Sequence, residues 1–221
     1  MKNKEDAKRS YNWKSADQVQ AYLSRTKNLP HQEEIKNVLL EQIPSNIKRV
    51  LDLGTGDGKL LALVKNKNPE AKGVALDYSK PMLKLARKRF QKDKTVQLVK
   101  HDLSFPLPDL GSFDFIVSGL AIHHLAHERK KQLYKEIFDM LEPKGMFFNL
   151  DQVASSTVSL HQKFLRFVGW TAESDDHAKR LLNVETQLSW LREIGFYDVD
   201  CYWKWLEIAL FIGIKPRLEV F

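Results

Sequence analysis

Short apolar runs alternate with amphipathic segments along most of the chain. The apolar runs are residues 49–53, 73–76, 96–99, 113–118 and 146–150, and each is predicted to be a strand. Between these runs, apolar residues recur three and four positions apart, which is the spacing of a helix with one buried face. Because the strands are apolar throughout rather than at alternate positions, we expect a parallel sheet that helices cover on both faces.

The predicted helices have recognisable ends, and a pair of strands closes the chain. Ser79 is expected to cap one helix and Gly195 to end another. Two aromatic-rich strands, 199–203 and 206–212, are close enough to pair antiparallel, and alternation places Trp203 and Trp205 on the same face as Cys201. The predicted helical segments are 15–29, 31–43, 58–67, 79–90, 128–141 and 185–194.

The length of 221 residues favours one domain over two. Residues 1–14 hold five basic side chains and no apolar period, and we interpret them as a flexible basic leader. Residues 15–221 are then a single α/β domain. Within it, residues 153–182 interrupt the alternation of strands and helices, and we expect them to be a helical insertion over the edge of the sheet.

Composition and charge narrow the class of protein. With 43% hydrophobic residues the chain can bury a sizeable core, which excludes intrinsic disorder and collagen-like structure. Its apolar runs are far shorter than the ~20 residues of a membrane-spanning helix, so no membrane partner is expected. The single cysteine, Cys201, cannot form an internal disulfide, which favours a cytoplasmic location. Lys and Arg number 35 against 28 Asp and Glu, and the net charge of +7 leaves an RNA partner open.

The strongest chemical signal is the sequence DLGTGDG, residues 52–58, between the first strand and its helix. A turn this tight needs glycines for backbone conformations with positive φ, and Gly54 and Gly56 would let a ligand lie against the main chain. The spacing is G-x-G-x-G rather than the G-x-G-x-x-G of dinucleotide-dependent dehydrogenases, so a nucleotide-linked oxidoreductase is disfavoured. The alternative is that the turn is only a tight connection.

Polar residues follow the next strands at the edge where open α/β sheets bind ligands. Asp77 ends the second strand, 19 residues after Gly58, where a carboxylate can accept from both hydroxyls of a ribose. Its alternative role is a helix cap. Asp102 could accept from an exocyclic adenine amine while Leu103 packs on the ring, and the chain leaves the fourth strand through the small residue Gly119.

Five segments, in order, resemble the motifs of the class I S-adenosylmethionine (SAM) dependent methyltransferases. They are VLDLGTGDG, VALDYSKPML, VKHDLSFPLP, FDFIVSGLAIHHL and LEPKGMFFNL, within residues 48–150. The resemblance implies a doubly wound, Rossmann-like sheet of seven mostly parallel strands whose last strand is antiparallel. It also implies SAM as the cofactor and S-adenosylhomocysteine (SAH) as the product.

The same resemblance assigns roles to individual residues. The glycines of the turn, Ser118 and Gly119 would lie beside the methionine part of SAM, and Asp77 beside the ribose. The residues placed around the adenine are Tyr78, Met82, Asp102 and Leu103. The residues implied to bind the cofactor are Asp52, Gly54, Thr55, Gly56, Gly58, Asp77, Tyr78, Met82, Asp102, Leu103, Ser118 and Gly119.

A second, more local similarity concerns the two ends of the chain. The leading helix with Arg25, and the segment VETQLSWLREIGF before a Trp-rich hairpin, resemble the carboxy-SAM synthase branch, which serves tRNA wobble-uridine modification. The glycine turn has a different residue pattern from that branch. Synthesis of a carboxylated cofactor is therefore an alternative function.

Methyl transfer needs few catalytic side chains, because positioning of the nucleophile supplies most of the rate. If the nucleophile carries a proton, His123 or His124 is placed to act as the base. Adjacent residues at the start of a helix point about 100° apart, so only one of the two is expected to reach the pocket. Both could instead be structural. A metal site that includes His127 is disfavoured, because no acidic partner lies at ligand spacing.

The acceptor is predicted to be a small, partly apolar molecule enclosed by the leading helix and the insertion, with Tyr22, Arg25 and Trp170 as substrate-binding residues. RNA is the alternative acceptor, but the densest basic cluster lies on the outer side of the helix after Asp77 and is typical of a solvated face. A third possibility is a non-catalytic SAM-binding module. The oligomeric state is not predicted.

Overall fold

A computed structural model of the chain describes residues 15–27, 30–170 and 180–217. The predicted leader, residues 1–14, lies outside these ranges. The strands in the described residues are β1 (Arg49–Leu53), β2 (Lys72–Asp77), β3 (Val96–Lys100), β4 (Phe113–Gly119), β5 (Leu141–Gln152), β6 (Tyr197–Trp205) and β7 (Ile208–Ile214). They form one sheet of seven, in the order β3-β2-β1-β4-β5-β7-β6.

Strand directions confirm the predicted fold class. The pairs β1–β2, β2–β3, β1–β4 and β4–β5 are parallel. Strand β7 is antiparallel to both of its neighbours, β5 and β6. The sheet order reverses between β1 and β4, so a crevice opens between the loops that follow these two strands, and such crevices are where open α/β sheets bind ligands.

Helices cover both faces of the sheet, at the places that the periodicity predicts. Ser79 caps the helix Lys80–Arg89 by accepting from the Met82 N–H at 3.3 Å, and Gly195 ends the helix Val184–Ile194 with φ 117. None of the helices in the ranges given above is long and apolar enough to cross a membrane. The helices are α1 (Ala16–Lys27), α2 (Gln32–Gln42), α3 (Lys59–Lys67), α4 (Lys80–Arg89), α5 (His127–Met140), α6 (Val158–Val168) and α7 (Val184–Ile194).

The core has two main layers, one on each face of the sheet. Side chains of one strand alternate between them: Leu51 and Leu53 belong to one layer and Val50 to the other. Residues of α5 and α7 complete the first layer, and residues of α2 and α3 the second. This packing fixes the carboxyl end of β1, where the glycine turn begins.

The closing hairpin differs from the prediction in one respect. Cys201 pairs with Phe211 and packs in the layer of α5 and α7, whereas Trp203 pairs with Leu210 and packs in the opposite layer. Two residues of β6 therefore match one residue of β7, which is a β-bulge that reverses the alternation of faces. The expectation that Cys201 and Trp203 share a face is wrong for this reason.

The predicted insertion contains α6, which lies between β5 and α7. Glu207, fully buried in the β6–β7 connection, fixes the start of this segment by accepting from Ser155 Oγ at 2.6 Å and from His161 Nδ1 at 2.8 Å. Phe164 and Leu165 of α6 pack on Ile208. Residues 171–179 of the insertion lie outside the described residues.

Candidate functional site

A cavity of about 890 Å³ lies at the carboxyl ends of β1, β2 and β4. One part of its wall comes from the glycine turn and from the residues that follow β2 and β3. The other part comes from α1, α2, the loop after β4 and the closing hairpin. The loops of the sheet's crevice and the elements above them therefore enclose one continuous space.

The three glycines of the turn all have positive φ: 69 at Gly54, 56 at Gly56 and 82 at Gly58. They differ in what a side chain would meet. A Cβ on Gly54 would lie 2.3 Å from the Ala121 Cβ, and one on Gly58 would lie 2.6 Å from the Phe90 ring. A Cβ on Gly56 would meet only the Met82 sulfur, at 3.9 Å. Gly56 is thus the glycine that leaves space for a ligand, and Gly58 is a packing position outside the cavity wall.

Asp77 lies in the part of the wall formed by the glycine turn and the residues after β2 and β3. We call this part the cofactor end, because the resemblance places SAM there. Its Oδ2 accepts from the Gly56 N–H at 2.9 Å and its Oδ1 from the Ser79 N–H at 2.7 Å. Burial raises the pKa of Asp77, and these backbone donors act against that increase. A carboxylate offers about four acceptor positions, so both oxygens can still accept from a ligand.

Besides Gly58, two of the residues implied to bind cofactor lie behind the cavity wall. Asp52 is buried beneath the turn, and its Oδ2 accepts from Thr55 Oγ1 at 2.5 Å. Burial raises the pKa of Asp52 to about 7. Ser118 is also buried, and its hydroxyl donates to the Leu53 carbonyl at 2.9 Å. Thr55 itself lines the cavity.

The residues implied to surround the adenine come together on one side of the cavity. Tyr78, Met82, Asp102 and Leu103 all line it. The loop after β3 is held in place by Arg129, whose guanidinium donates to the Leu103 carbonyl at 2.8 Å and to the Phe105 carbonyl at 2.8 Å. Asp102 and Leu103 are therefore on a braced loop rather than a loose one.

The chain leaves β4 at Gly119, and the turn that follows is made by the next residue. Gly119 lines the cavity but does not have positive φ; Leu120, with φ 52, takes the left-handed conformation. Its N–H donates to the Leu150 carbonyl at 2.8 Å, which ties this loop to β5. The sequence predicts a small residue at this exit, and Gly119 does end β4; the left-handed conformation belongs to the residue after it.

The two adjacent histidines lie in different surroundings. A 3₁₀ turn, Ile122–His124, follows Leu120 and Ala121, and His124 lines the cavity. His123 is 6% exposed, and its Nδ1 lies 2.5 Å from Asp151 Oδ1. The two imidazole centroids are 3.9 Å apart. In the described residues no group of three or more His, Cys, Asp and Glu side chains has the geometry of a metal site.

The part of the wall from α1, α2, the loop after β4 and the closing hairpin, which we call the acceptor end, differs from the predicted one. Tyr22 lines the cavity, but Trp170 packs edge to face on Phe164, with centroids 5.9 Å apart, and is not part of the wall. Arg25 lies in α1, and its side chain is outside the described structure. Trp203 and Trp205 line the cavity instead, and Trp203 Nε1 donates to Glu34 Oε1 at 2.8 Å.

Arg180 is a further cavity residue that the sequence did not single out. Its Nη1 donates to the His124 carbonyl at 2.9 Å, and its own carbonyl accepts from the buried Lys130 ammonium. Among the residues that the structure describes, Arg180 has no acidic partner. It belongs to the return of the insertion, where no motif marks it, so sequence reasoning had no signal to find it.

Comparison with known proteins tests the resemblance to a methyltransferase family. A family model described as a methyltransferase domain matches residues 50–145, which include the glycine turn, Asp77 and the two histidines. Over these residues the chain is similar to that family, which supports its resemblance to the class I SAM-dependent methyltransferases. The family resemblance stated from the sequence motifs is thereby confirmed.

Relatives of the methyltransferase domain differ in how much they share with it. A demethylmenaquinone methyltransferase from Thermus thermophilus is 31% identical over 137 residues, which are 61% of this chain and 60% of that protein. A carboxy-S-adenosyl-L-methionine synthase from Nautilia profundicola is 20% identical over 207 residues, 86% of this chain and 88% of that protein. The match therefore spans about three fifths of the first relative's length.

Solved structures share the fold of this chain at low sequence identity. An O-methyltransferase family protein from Burkholderia thailandensis superimposes with a TM-score of 0.71 at 18% identity, over 92% of this chain and 60% of that one. The structure titled "PigF with SAH" superimposes with a TM-score of 0.71 at 17% identity, over 94% of this chain and 63% of that one. At these identities the similarities concern the fold alone.

Proposed function

We propose that this chain transfers the methyl group of SAM to a small, largely apolar acceptor by in-line displacement. One observation carries the proposal: a single cavity joins the glycine turn and Asp77 at one end to His124 and two tryptophans at the other. A cofactor held at the first end would present its reactive group toward the second. Bound SAM supplies a methyl group that its sulfonium makes electrophilic.

The residues at the cofactor end fit an adenosyl compound. Gly56 leaves open space over the turn, and Asp77 keeps acceptor capacity for the hydroxyls of a ribose. Leu103 and Met82 offer apolar contacts beside them, and Asp102 can accept from an adenine amine. Asp52 acts from beneath, since it holds Thr55 in the wall.

The acceptor end supports a small molecule with apolar surface. Leu120, Leu150 and Ile208 line it together with Trp203 and Trp205, so a bound acceptor would be shielded from water. Positioning and exclusion of water are the main contributions that a protein makes to a displacement of this kind. The name of the Thermus relative, a demethylmenaquinone methyltransferase, supports an acceptor of this class.

We propose His124 as the base when the acceptor atom carries a proton. It lines the cavity, whereas His123 is turned to Asp151. The Arg180 guanidinium, bonded to the His124 carbonyl, uses one of its five N–H donors there and can stabilise negative charge on the acceptor with others. Residues 15–221 would act as one domain in which α6, which packs on the cavity residue Ile208, forms a lid over the acceptor end.

An RNA acceptor is less well supported. The basic cluster includes Lys84, Arg87 and Lys88, which are exposed on α4 and do not line the cavity. Arg89 does line it, but its Nη2 donates to Asp57 Oδ2 at 2.8 Å.

We propose the cytoplasm as the location of the protein. The support is that the sequence has a single cysteine, Cys201, which is partly buried and cannot form an internal disulfide.

Calorimetry with SAM and with SAH tests the cofactor, and a panel of small apolar acceptors, with SAH formation as the readout, tests the reaction. We expect binding of both compounds and turnover with a member of the panel. Folded protein that gives no heat with either compound would overturn the proposal. Binding of SAM together with SAH formation only on tRNA would replace the small acceptor with RNA.

A further inference from the structure

A cluster of buried polar side chains lies directly behind the acceptor end of the cavity. Asp151 near the end of β5 is 1% exposed, Lys130 of α5 is 2% exposed and His123 is 6% exposed. None of the three lines the cavity. The proposed reaction does not use them, and burial of charged groups is costly, so their role requires an explanation.

Asp151 is the centre of this cluster. Its Oδ1 lies 2.5 Å from His123 Nδ1 and accepts from the Gln152 N–H at 3.1 Å. Burial lowers the pKa of Lys130 to about 8, and the negative charge of Asp151 acts in the opposite direction. The Lys130 ammonium also donates to the Arg180 carbonyl.

Contacts from this cluster reach His124 by two routes. The His123 and His124 rings are tilted by 41° with centroids 3.9 Å apart, so the first ring limits the rotation of the second. The Arg180 guanidinium holds the His124 carbonyl, and Lys130 holds the Arg180 carbonyl. The ring of the cavity histidine and its backbone are thus braced from the same buried group of charges.

We propose that Asp151 is a positioning residue: it fixes the His123 ring, which in turn holds the His124 ring in the orientation that faces the acceptor. This inference rests on the proposed function, because the orientation of His124 matters only if His124 contacts the acceptor. A carboxylate suits the task because a charge-assisted hydrogen bond to an imidazole N–H is shorter and stronger than a neutral one. The competing explanation is that Asp151 only neutralises Lys130.

Two variants separate these explanations, with a third as the matched control. Asp151→Asn removes the charge and keeps the shape, and His123→Phe keeps a ring beside His124 but loses the bond to Asp151. Glu207→Gln is the control, because Glu207 is an equally buried carboxylate that holds Gln152, Ser155 and His161 rather than His123. All three proteins are compared at equal fractions of folded protein.

The first readout is the His124 imidazole signal in the NMR spectrum of the protein without ligands. We expect one sharp resonance in the parent protein and in Glu207→Gln, and a broadened or split resonance in Asp151→Asn and His123→Phe, because the ring would populate more than one rotamer. An unchanged His124 resonance in Asp151→Asn overturns the proposal. This measurement does not depend on turnover, so it remains informative if the proposed reaction is wrong.

The second readout is kinetic. We expect kcat to fall by about tenfold in Asp151→Asn and in His123→Phe, with the SAM dissociation constant unchanged, and the double variant to lose no more than either single one. Additive losses would show that Asp151 does not act through His123 and would overturn the proposal. If Asp151→Asn does not fold, His123→Phe carries both readouts alone. Absence of SAM binding in the parent protein would instead contradict the proposed function.

Discussion

The Nδ1 atom of His123 lies 2.5 Å from the Oδ1 atom of Asp151, and both side chains are buried. A carboxylate accepts this hydrogen bond, so the bond assigns the Nδ1 proton of His123 and fixes its ring. His124, the next residue, remains in the wall of the cavity. Of the two adjacent histidines, His123 is therefore an interior residue and His124 is the candidate base.

Asp77→Ala should weaken the binding of SAM at least about tenfold, because donors on a bound ribose would lose a buried acceptor. The same substitution frees the Gly56 and Ser79 N–H groups that Asp77 now accepts from. Calorimetry measures the affinity. The control is Asp109→Ala, since Asp109 also accepts a backbone N–H, from Gly111 at 3.1 Å, but lies outside the cavity wall. Unweakened binding by folded Asp77→Ala protein would contradict this assignment.

Gly54→Ala and Gly169→Ala form a matched pair, because both glycines have φ 69. The left-handed conformation costs a residue with a Cβ about 1–2 kcal/mol at either position. At Gly169 no atom of the described residues lies within 4 Å of the added Cβ, whereas at Gly54 the Ala121 Cβ is 2.3 Å away. Gly54→Ala should therefore lower the free energy of unfolding in urea by about 1–3 kcal/mol more than Gly169→Ala. Equal losses would mean that the loop after β4 moves away freely.

The pH dependence of stability should reflect Asp52. Burial raises the pKa of Asp52 from its ordinary 3.8 to about 7. The folded chain then binds more protons than the unfolded chain between these values, so the free energy of unfolding should fall as the pH rises from about 4 to about 7. Asp52→Asn should reduce this decline by an amount on the order of a few kcal/mol.

Urea unfolding at several pH values between these limits measures the effect. Burial raises the pKa of Asp77 in the same direction, so the decline should become smaller rather than disappear. Asp139→Asn is the control, because Asp139 is exposed on α5. A decline of the same size in Asp52→Asn as in the parent protein would show that Asp52 is not its source.

Trp205 in the cavity wall and Trp170 behind it should differ in their effect on the Michaelis constant of the acceptor. Trp205 lines the cavity, so Trp205→Ala should raise the Michaelis constant of the acceptor about tenfold or more. Trp170 contacts Phe164 behind the wall, so Trp170→Ala should raise it by a smaller factor. The SAM dissociation constant of each variant serves as the internal control. Unchanged kinetics in both variants with every accepted substrate would remove the lid and the hairpin from the acceptor site.

The parallel part of the sheet and the cofactor end were predictable from local patterns. Continuous apolar strands that alternate with amphipathic helices have few arrangements open to them, and the turn after β1 and the residue that ends β2 meet at one edge in any of these. Gly56 and Asp77 accordingly line the cavity together. Their roles in binding stay predictions.

The acceptor end was less predictable, because it depends on side chains far apart in the sequence. The β-bulge between Cys201 and Trp203 moves Trp203 to the face that borders the cavity, and the residue types of this segment do not predict a bulge. Glu34 of α2, 169 residues before Trp203, accepts from its indole N–H. Such a contact exists only once both elements have packed on the sheet.

By itself, the sequence determined the order of strands and helices, the tight turn and the placement of an acidic residue beside it, because these follow from hydrophobic periodicity and from backbone conformations that glycine adopts most readily. Only the tertiary structure decided which of two neighbouring histidines lines the cavity and which residues form the wall beyond it. The physical reason is that burial and hydrogen bonding between distant segments, as between His123 and Asp151, set the direction of a side chain.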